Sequence, residues 1–336
     1  MAILGVGLVA ALAVHVDQIM DSPINVPDAG MDFEIPSGTP FAGVSRELEN
    51  LGVITDGDIL RWYARWTGQA ADIQAGNYRL KSGSTARDLL DQFTSGDVRL
   101  YSVTIVEGWN HREMLKALHA NPNITATMTD EDWPVLLAEL GSDVTGPEGL
   151  FLPETYYFPL RATDRSILTE AYRLMQKVLN EEWSARADDT PVVSPYEALI
   201  LASIVEKETA RADERQRIAG VFARRLQKNM RLQTDPTVIY GIGPDFNGNL
   251  TRRDLRTDTP YNTYTRHGLP PTPIAMPGRA AINAALNPAA GEELYFVATG
   301  LGDGSHKFSV THAQHEAAVQ EYLRRLRQQR VKGGSQ

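Results

Sequence analysis

The sequence predicts an α+β protein with an apolar N-terminus, a small α+β module and a larger mixed α/β domain. Three observations support this prediction. The chain has 336 residues, more than a single domain usually holds. Residues 33–120 repeat one strand–turn–helix pattern, and a strongly apolar helix begins at Ser194. We therefore divide the chain into an N-terminal segment 1–17, a linker 18–32, a module 33–99 and a domain 100–330.

The apolar run at residues 2–16 contains no charged residue and is interrupted only by His15. It is shorter than the ~20 residues that span a bilayer comfortably, and it lacks the basic flank of a secretory signal. Its one small-residue triplet, Ala11-Leu12-Ala13, lies inside the run, which favours a retained membrane anchor, residues 1–17, over a cleaved signal. The alternative is a buried N-terminal helix. Residues 18–32, with two prolines and a glycine, are typical of a polar linker.

Three segments between Phe33 and Ala120 share an extended apolar piece, a glycine turn and an amphipathic helix. They read FEIPSGTPFAGVSRELEN, YRLKSGSTARDLLDQFTSG and VTIVEGWNHREMLKALHA. Because each piece is too short to stand alone, we expect their strands to pair and their helices to stack. The first two segments, with a helix over residues 56–67 between them, resemble a LysM-like module, a compact fold that binds amino-sugar glycans. The alternative is a spacer without a ligand.

A loop dense in aromatic and proline residues follows, PEGLFLPETYYFP at residues 147–159, and it cannot form a regular helix. Aromatic faces beside carboxylates suit a sugar groove, because a sugar offers C–H surfaces for stacking and hydroxyls for hydrogen bonding. A loop packed on the core through Phe151, Tyr156 and Phe158 explains the same composition. Composition alone does not separate these two interpretations.

The helix that begins at Ser194 has clear start signals, with Pro195 at its first position and Glu197 completing a capping box. From Ala198 to Val205 only Ser203 is polar, which predicts a helix buried on nearly all sides. It ends in the charged triplet Glu206-Lys207-Glu208, and an amphipathic helix follows. The chain therefore brings two carboxylates to the end of a core element.

Glu206 and Glu208 cannot act as a pair, because successive helical residues turn by about 100° and the two point to roughly opposite sides. Both glutamates lie at the C-terminal end of the helix, where the negative end of the helix dipole disfavours a charged carboxylate. Partial burial acts in the same direction, so both effects raise the pKa of the carboxyl, as a general acid requires. The alternative is an exposed, salt-bridged helix end.

Composition and the remaining polar residues restrict the chemistry further. A net charge of −9 argues against a nucleic-acid partner, and the absence of cysteine excludes a thiol nucleophile, a cysteine-ligated metal and any disulfide. His306, His312 and His315 include an HxxH spacing, but no acidic ligands accompany them, so we expect no metal and no cofactor. Asp235, before Pro236, is also a candidate helix cap.

Long motifs resemble the endolytic murein transglycosylase family, the YceG-like or MltG-type proteins. They are LASIVEKETARADERQRIAGVFARRLQKNMRLQTDPTVIYG, YNTYTRHGLPPTPIAMPG and PEGLFLPETY, and the resemblance extends from about Phe33 to Leu326. It implies one N-terminal membrane helix in the inner (cytoplasmic) membrane, a LysM-like module, and a catalytic domain that faces the periplasm and cleaves peptidoglycan glycan strands. It also implies proximity to peptidoglycan polymerases, the penicillin-binding proteins.

The resemblance assigns the catalytic role to Glu208, the second glutamate of the EKET motif. One carboxylate would protonate the leaving oxygen between N-acetylmuramic acid and N-acetylglucosamine, and then accept the proton of the muramyl C6 hydroxyl, giving a 1,6-anhydro end. The alternative is a non-catalytic, peptidoglycan-binding scaffold of the same fold. The candidate substrate-binding residues are Glu154, Gln233, Asp235, Tyr261, Asn262 and Tyr264.

Overall fold

The computed structural model describes residues 2–333, with side chains described for residues 10–329. The chain folds into two compact units. The first comprises Met1–Ser102 with Tyr157–Ala162, and the second comprises Val103–Tyr156 with Thr163–Gln336. Helices dominate, and the strands within the described residues form only two-stranded sheets, so the predicted α+β class is confirmed.

The first unit is built on one antiparallel strand pair. Strands β1 and β2 pair with Phe33 opposite Tyr78, and the buried ring of Tyr78 meets Phe93 at a centroid distance of 4.8 Å. Asp56 caps the second helix after β1 by accepting from the amide of Ile59, and this helix lies within the range 56–67 expected from the sequence. The elements are α1 (Ala2–Met20), β1 (Met31–Ile35), α2 (Phe41–Asn50), α3 (Gly57–Trp66), β2 (Gly76–Leu80) and α4 (Ala86–Ser95).

The N-terminal segment is helical, and the buried side chains of Val16 and Met20 on α1 join the core of the first unit. In the part of the chain that the structure describes, no helix is both long and apolar enough to cross a membrane. The side chains of residues 1–9 lie outside the described residues, so the anchor stays a prediction. Helix α1 also extends into the predicted linker, and β1 begins before the linker was expected to end.

The three repeated segments each form a strand, a glycine turn and a ten-residue helix, as predicted. The turn glycines Gly38, Gly83 and Gly108 share a left-handed backbone, with φ of 79°, 83° and 78°. The expectation that all three pack together is wrong. Strand β3 (Leu100–Thr104) pairs with β5 (Thr155–Pro159), and α5 (His111–Ala120) packs on a helix of the second unit. Its buried Met114, Leu115 and Leu118 supply the apolar face for that contact.

The second unit surrounds the apolar helix α8 with α7, α9 and α11. Its elements, after β3 and α5, are β4 (Ile124–Thr125), α6 (Trp133–Glu139), β5, β6 (Ala162–Thr163), α7 (Asp164–Ser184), α8 (Pro195–Glu208), α9 (Arg215–Gln227), α10 (Asp235–Ile242), α11 (Arg279–Leu286), β7 (Tyr295–Ala298), β8 (His306–Ser309) and α12 (His312–Gly333). Short 3-10 helices occupy Gln69–Ala71, Asp130–Asp132, Gly243–Asp245 and Asp254–Arg256.

Helix α8 forms as its sequence predicts. Ser194 accepts from the amide of Glu197, and every residue from Ala198 to Val205 is buried. The one polar residue among them, Ser203, donates to the carbonyl of Ile200 and accepts from the amide of Ile274 at 2.9 Å. The capping box is incomplete, because the Glu197 carboxylate accepts from Val193 N.

The aromatic loop at residues 147–159 follows the second of its two interpretations. Phe151, Tyr156 and Phe158 are all buried, and the Tyr156 hydroxyl donates to the carbonyl of Leu152 at 2.6 Å. The end of the loop forms β5. Its aromatic residues therefore belong mainly to the core, because their apolar area gains more from burial than from exposure.

Candidate active site

Glu208 is the last residue of α8, and its side chain lines a cavity of about 560 Å³ that we call the acid cleft. Burial raises the pKa of this carboxyl to about 7, and the negative charge of Asp235 pushes in the same direction. The hydroxyl of Thr234 and the guanidinium of Arg225 act in the opposite sense. A carboxyl with a pKa near neutrality can hold a proton and also release it, as an acid–base catalyst must.

Asp235 occupies the first turn of α10 and lines the same cleft. It does not cap the helix with its side chain; its Oδ1 instead accepts from the Tyr264 hydroxyl at 2.6 Å. Burial and Asp235 both raise the pKa of that tyrosine, so the hydroxyl stays a donor. Three of the six predicted binding residues therefore line the cleft with Glu208, namely Gln233, Asp235 and Tyr264.

The segment that leads into α10 is held tightly beside the acid. Gln233 has a left-handed backbone with φ of 54°, which is uncommon for a residue with a side chain. Its amide donates to the carbonyl of Thr263, and the next amide, of Thr234, donates to the Thr263 hydroxyl. The buried Thr234 hydroxyl lies near Glu208 and lowers its pKa, although no regular hydrogen bond joins it to any described group. This turn fixes Asp235 relative to Glu208.

Arg225 on α9 is a buried cation of the cleft that sequence reasoning missed. Its Nε donates to the carbonyl of Leu294 at 2.6 Å, and its Nη1 donates to the carbonyl of Leu232 at 2.7 Å. Its guanidinium also lies over the ring of Tyr295, 5.1 Å from the centroid. The signal was present in the periodicity, because Ile218, Phe222 and Arg225 lie on one face of α9, and a cation on an apolar face needs buried partners.

The opposite wall of the cleft comes from the β7–β8 hairpin and the start of α12. Tyr295 stacks on His315 with centroids 5.2 Å apart, and burial lowers the pKa of that histidine. His306 Nδ1 lies 2.7 Å from Glu214 Oε2, so this histidine is engaged by a carboxylate outside the cleft. His312 lines the same wall. Within residues 10–329, no group of three or more histidine, aspartate or glutamate side chains is placed to hold a metal ion.

Glu206 lies away from the acid cleft, as the helical turn predicts. Its Oε2 accepts from the amide of Gly278 at 3.0 Å. Burial raises the pKa of Glu206, and the charge of Glu107 adds to this effect. Both glutamates are therefore perturbed, but only Glu208 lines the cavity that Asp235 and Tyr264 share.

The structure places the other three predicted binding residues outside the cleft. Glu154 is exposed at the start of β5, where its carboxylate accepts from the amide of Thr155. Tyr261 donates to or accepts from the Thr272 hydroxyl and packs against the ring of Tyr240. Asn262 is fully buried, and its amide donates to the carbonyls at positions 254 and 257. Asn262 therefore shapes a loop, and its amide has no capacity left for a sugar.

Another buried carboxylate, Glu148 of the PEGLFLP motif, was also missed. Its oxygens accept from the amide of His111, pair with His111 Nδ1 at 2.7 Å and accept from the Tyr240 hydroxyl at 3.0 Å. Its role is to join the start of α5 to the middle of α10. No local pattern announces it, because the Tyr240 partner is 92 residues away.

Comparisons with known proteins agree on one family. A sequence model described as the YceG-like family matches residues 33–321. A Bacillus subtilis (strain 168) protein named endolytic murein transglycosylase is 31% identical over 313 residues, covering 87% of this chain and 85% of that protein. A protein of the same name from Streptococcus pneumoniae serotype 2 is 29% identical, covering 86% of this chain and 58% of its own length. A crystal structure of a YceG-like protein from Listeria monocytogenes aligns with a TM-score of 0.56 at 28% identity, covering 87% of this chain and 99% of that one.

Proposed function

This chain belongs to the YceG-like family, and on that premise we propose that it is an endolytic murein transglycosylase with Glu208 as its acid–base catalyst. The observation that carries the proposal is the position of Glu208, whose carboxyl lines a cleft and has its pKa raised to about 7. The names of the relatives identify murein as the substrate of those proteins, and the acid cleft supplies the acid that glycosidic cleavage needs.

In the first step, protonated Glu208 donates its proton to the oxygen that links N-acetylmuramic acid to N-acetylglucosamine. The C–O bond breaks, and positive charge develops on the muramyl ring. The carboxylate of Asp235 lies close enough to Glu208 to raise its pKa, and its negative charge stabilises this developing positive charge. The Tyr264 hydroxyl fixes the orientation of that carboxylate.

In the second step, Glu208 accepts the proton of the muramyl C6 hydroxyl as that oxygen bonds to C1 of the same sugar. The product is a 1,6-anhydro end, and no water is consumed. One carboxyl serves both steps because the proton that it gives away is replaced by the proton that it receives. A pKa near neutrality suits both directions of transfer.

The cellular setting is part of the proposal. The apolar run at residues 2–16 supports a single-pass anchor in the inner membrane, with the catalytic unit in the periplasm. The first unit, with its β1–α2–α3–β2 order, supports a LysM-like module. An enzyme that cuts glycan strands internally sets their length, so we place it beside the penicillin-binding proteins that polymerise those strands.

The test is digestion of purified murein and of nascent, uncrosslinked strands by wild type, Glu208→Gln and Glu206→Gln. Glutamine at 208 keeps the shape of the side chain and removes the proton, so we expect a loss of about 100-fold to 10,000-fold in rate. Glutamine at 206 can still accept from Gly278 through its amide oxygen, so this matched control should retain activity. Mass spectrometry of the products identifies the new ends.

Three results would count against the proposal. Wild type that releases no 1,6-anhydromuramyl ends leaves the scaffold as the function. Reducing ends, heavier by one water, would indicate a hydrolase that uses Asp235 as its second carboxylate. Equal activity of Glu208→Gln and wild type would remove Glu208 from the catalytic role.

A further inference from the structure

A second cavity of about 720 Å³ lies in the same unit as the acid cleft. We call it the basic pocket. It is bounded by the start of α5, by α10 with the turn that follows it, and by the end of α8. Ile239, Ile242 and Phe246 give it an apolar wall, and Arg112 and Lys207 contribute cations. Its volume falls in the range of ligand sites.

The cations of the basic pocket are free to bind a ligand. Arg112 is exposed, and its guanidinium makes no hydrogen bond or ion pair with any residue that the structure describes; its Nη1 lies 4.0 Å from where a side chain at Gly243 would begin. Lys207 Nζ has one contact, with the carbonyl of Gly108 at 3.1 Å.

Two carboxylates in this part of the unit already accept hydrogen bonds. Glu113 accepts from the amide of Asn110 at 2.9 Å, which completes the cap of α5. Glu148 lies beneath the pocket and is satisfied by His111 and Tyr240. The pocket therefore offers two cationic side chains, neither in an ion pair with a described residue, over an apolar wall and beside the Glu113 carboxylate. This combination suits a ligand with both carboxylates and short apolar side chains.

Neighbouring residues of the chain line the two cavities. Lys207 lines the basic pocket while Glu208 lines the acid cleft, and Pro236 lines the basic pocket while Asp235 lines the acid cleft. The two cavities therefore share stretches of chain at the end of α8 and at the start of α10.

We propose that the basic pocket binds the peptide that murein carries on its muramic acid residues. The inference rests on the proposed function, because it requires murein as the substrate. Murein peptides are short, contain alanine and bear free carboxylates, which match the apolar wall and the two cations. Peptide binding there places the substituted sugar next to Glu208, and it gives the enzyme a preference for strands that still carry their peptides.

The experiment compares two substrates, uncrosslinked glycan strands with their peptides and the same strands after an amidase has removed them. Wild type, Arg112→Glu and Arg112→Ala are assayed on both. We expect Arg112→Glu to lower kcat/KM on peptide-bearing strands about tenfold through KM, a change of about 1.4 kcal/mol, and to leave stripped strands unaffected. Arg112→Ala should give a smaller loss of the same kind. Lys116→Glu, an exposed charge reversal on the same helix outside the pocket, should change neither rate.

The outcomes separate this inference from the proposed function. Wild type that cleaves neither substrate overturns the proposed function and the inference with it. Wild type that cleaves both, with Arg112→Glu equal to wild type on both or reduced equally on both, overturns the inference alone. A direct readout comes from nuclear magnetic resonance titration of the released peptide into Glu208→Gln. Binding should weaken about tenfold when Arg112→Glu is added, and unchanged binding would contradict the site.

Discussion

Replacing Glu208 by glutamine should stabilise the protein at pH 8 more than at pH 5, while it removes the activity. In the unfolded chain this carboxyl titrates with a pKa of 4.5, and in the folded protein burial and Asp235 raise the pKa to about 7. Below 4.5 the group is protonated in both states, so its position costs nothing. Above 7 it is charged in both states, and the folded protein bears the full cost of a buried charge.

The magnitude follows from the two pKa values. A rise from 4.5 to about 7, at about 1.4 kcal/mol for each pH unit, corresponds to about 3 kcal/mol of stability lost between those two values. Glutamine does not titrate, so the difference in unfolding free energy between Glu208→Gln and wild type should grow by about 3 kcal/mol over this interval. Any constant change in packing caused by the amide cancels when the two pH values are compared.

Urea denaturation at pH 5 and pH 8, followed by tryptophan fluorescence, measures this difference for each variant. Glu131→Gln is the matched control, because it removes an exposed carboxylate of the same unit and should give the same difference at both pH values. A stability gain for Glu208→Gln that is equal at pH 5 and pH 8 would refute the raised pKa. A protein that tolerates this cost in its native form sacrifices stability for function.

Three further predictions concern the same site. The kcat/KM of wild type should fall about tenfold for each pH unit above about 7. Asp235→Asn should move this fall to lower pH, because it removes a charge that raises the pKa of Glu208. A pH profile that does not move would contradict the effect of Asp235 on Glu208. Asn262→Ala should destabilise the protein by about 2 to 3 kcal/mol in urea denaturation, because it removes a buried amide that donates to two carbonyls. A variant that is as stable as wild type but has a raised KM would instead support a substrate-binding role for Asn262. Glu154→Ala should leave both stability and cleavage rate unchanged in the same assays, because that carboxylate is exposed and lies outside the cleft; a loss of cleavage would show that the substrate reaches β5.

Local patterns predicted local structure well. Ser194 and the three turn glycines each act within a few residues of their own position, and the structure has each of them in the predicted role. The same rules failed where the outcome depends on distant partners. The strand of the third repeat looks like the other two in sequence, but it pairs with β5, whose residues lie about fifty positions further along the chain.

The candidate site shows the same difference between residues that are held by local contacts and residues whose partners are distant in the chain. Gln233, Asp235 and Tyr264 could be proposed from motif resemblance, and they line the cleft because a single left-handed turn and one hydrogen bond hold them together. Arg225 and Glu148 were missed, because their partners come from distant segments. The periodicity of α9 places Arg225 on an apolar face, but it does not identify the carbonyls that the guanidinium meets. Asn262 lies outside the cleft for a different reason, since an amide that suits a sugar equally suits a buried loop.

The choice between Glu206 and Glu208 shows why geometry must accompany acidity. Burial raises the pKa of both carboxyls, so a search for perturbed acids would return either. The Gly278 amide, however, donates to Glu206. The Glu206 side chain lines neither the acid cleft nor the basic pocket. No backbone amide among the described residues donates to the Glu208 carboxyl, and this side chain lines the same cavity as Asp235. The raised pKa of Glu206 is therefore a consequence of packing, whereas the raised pKa of Glu208 belongs to a carboxyl that lines a cavity.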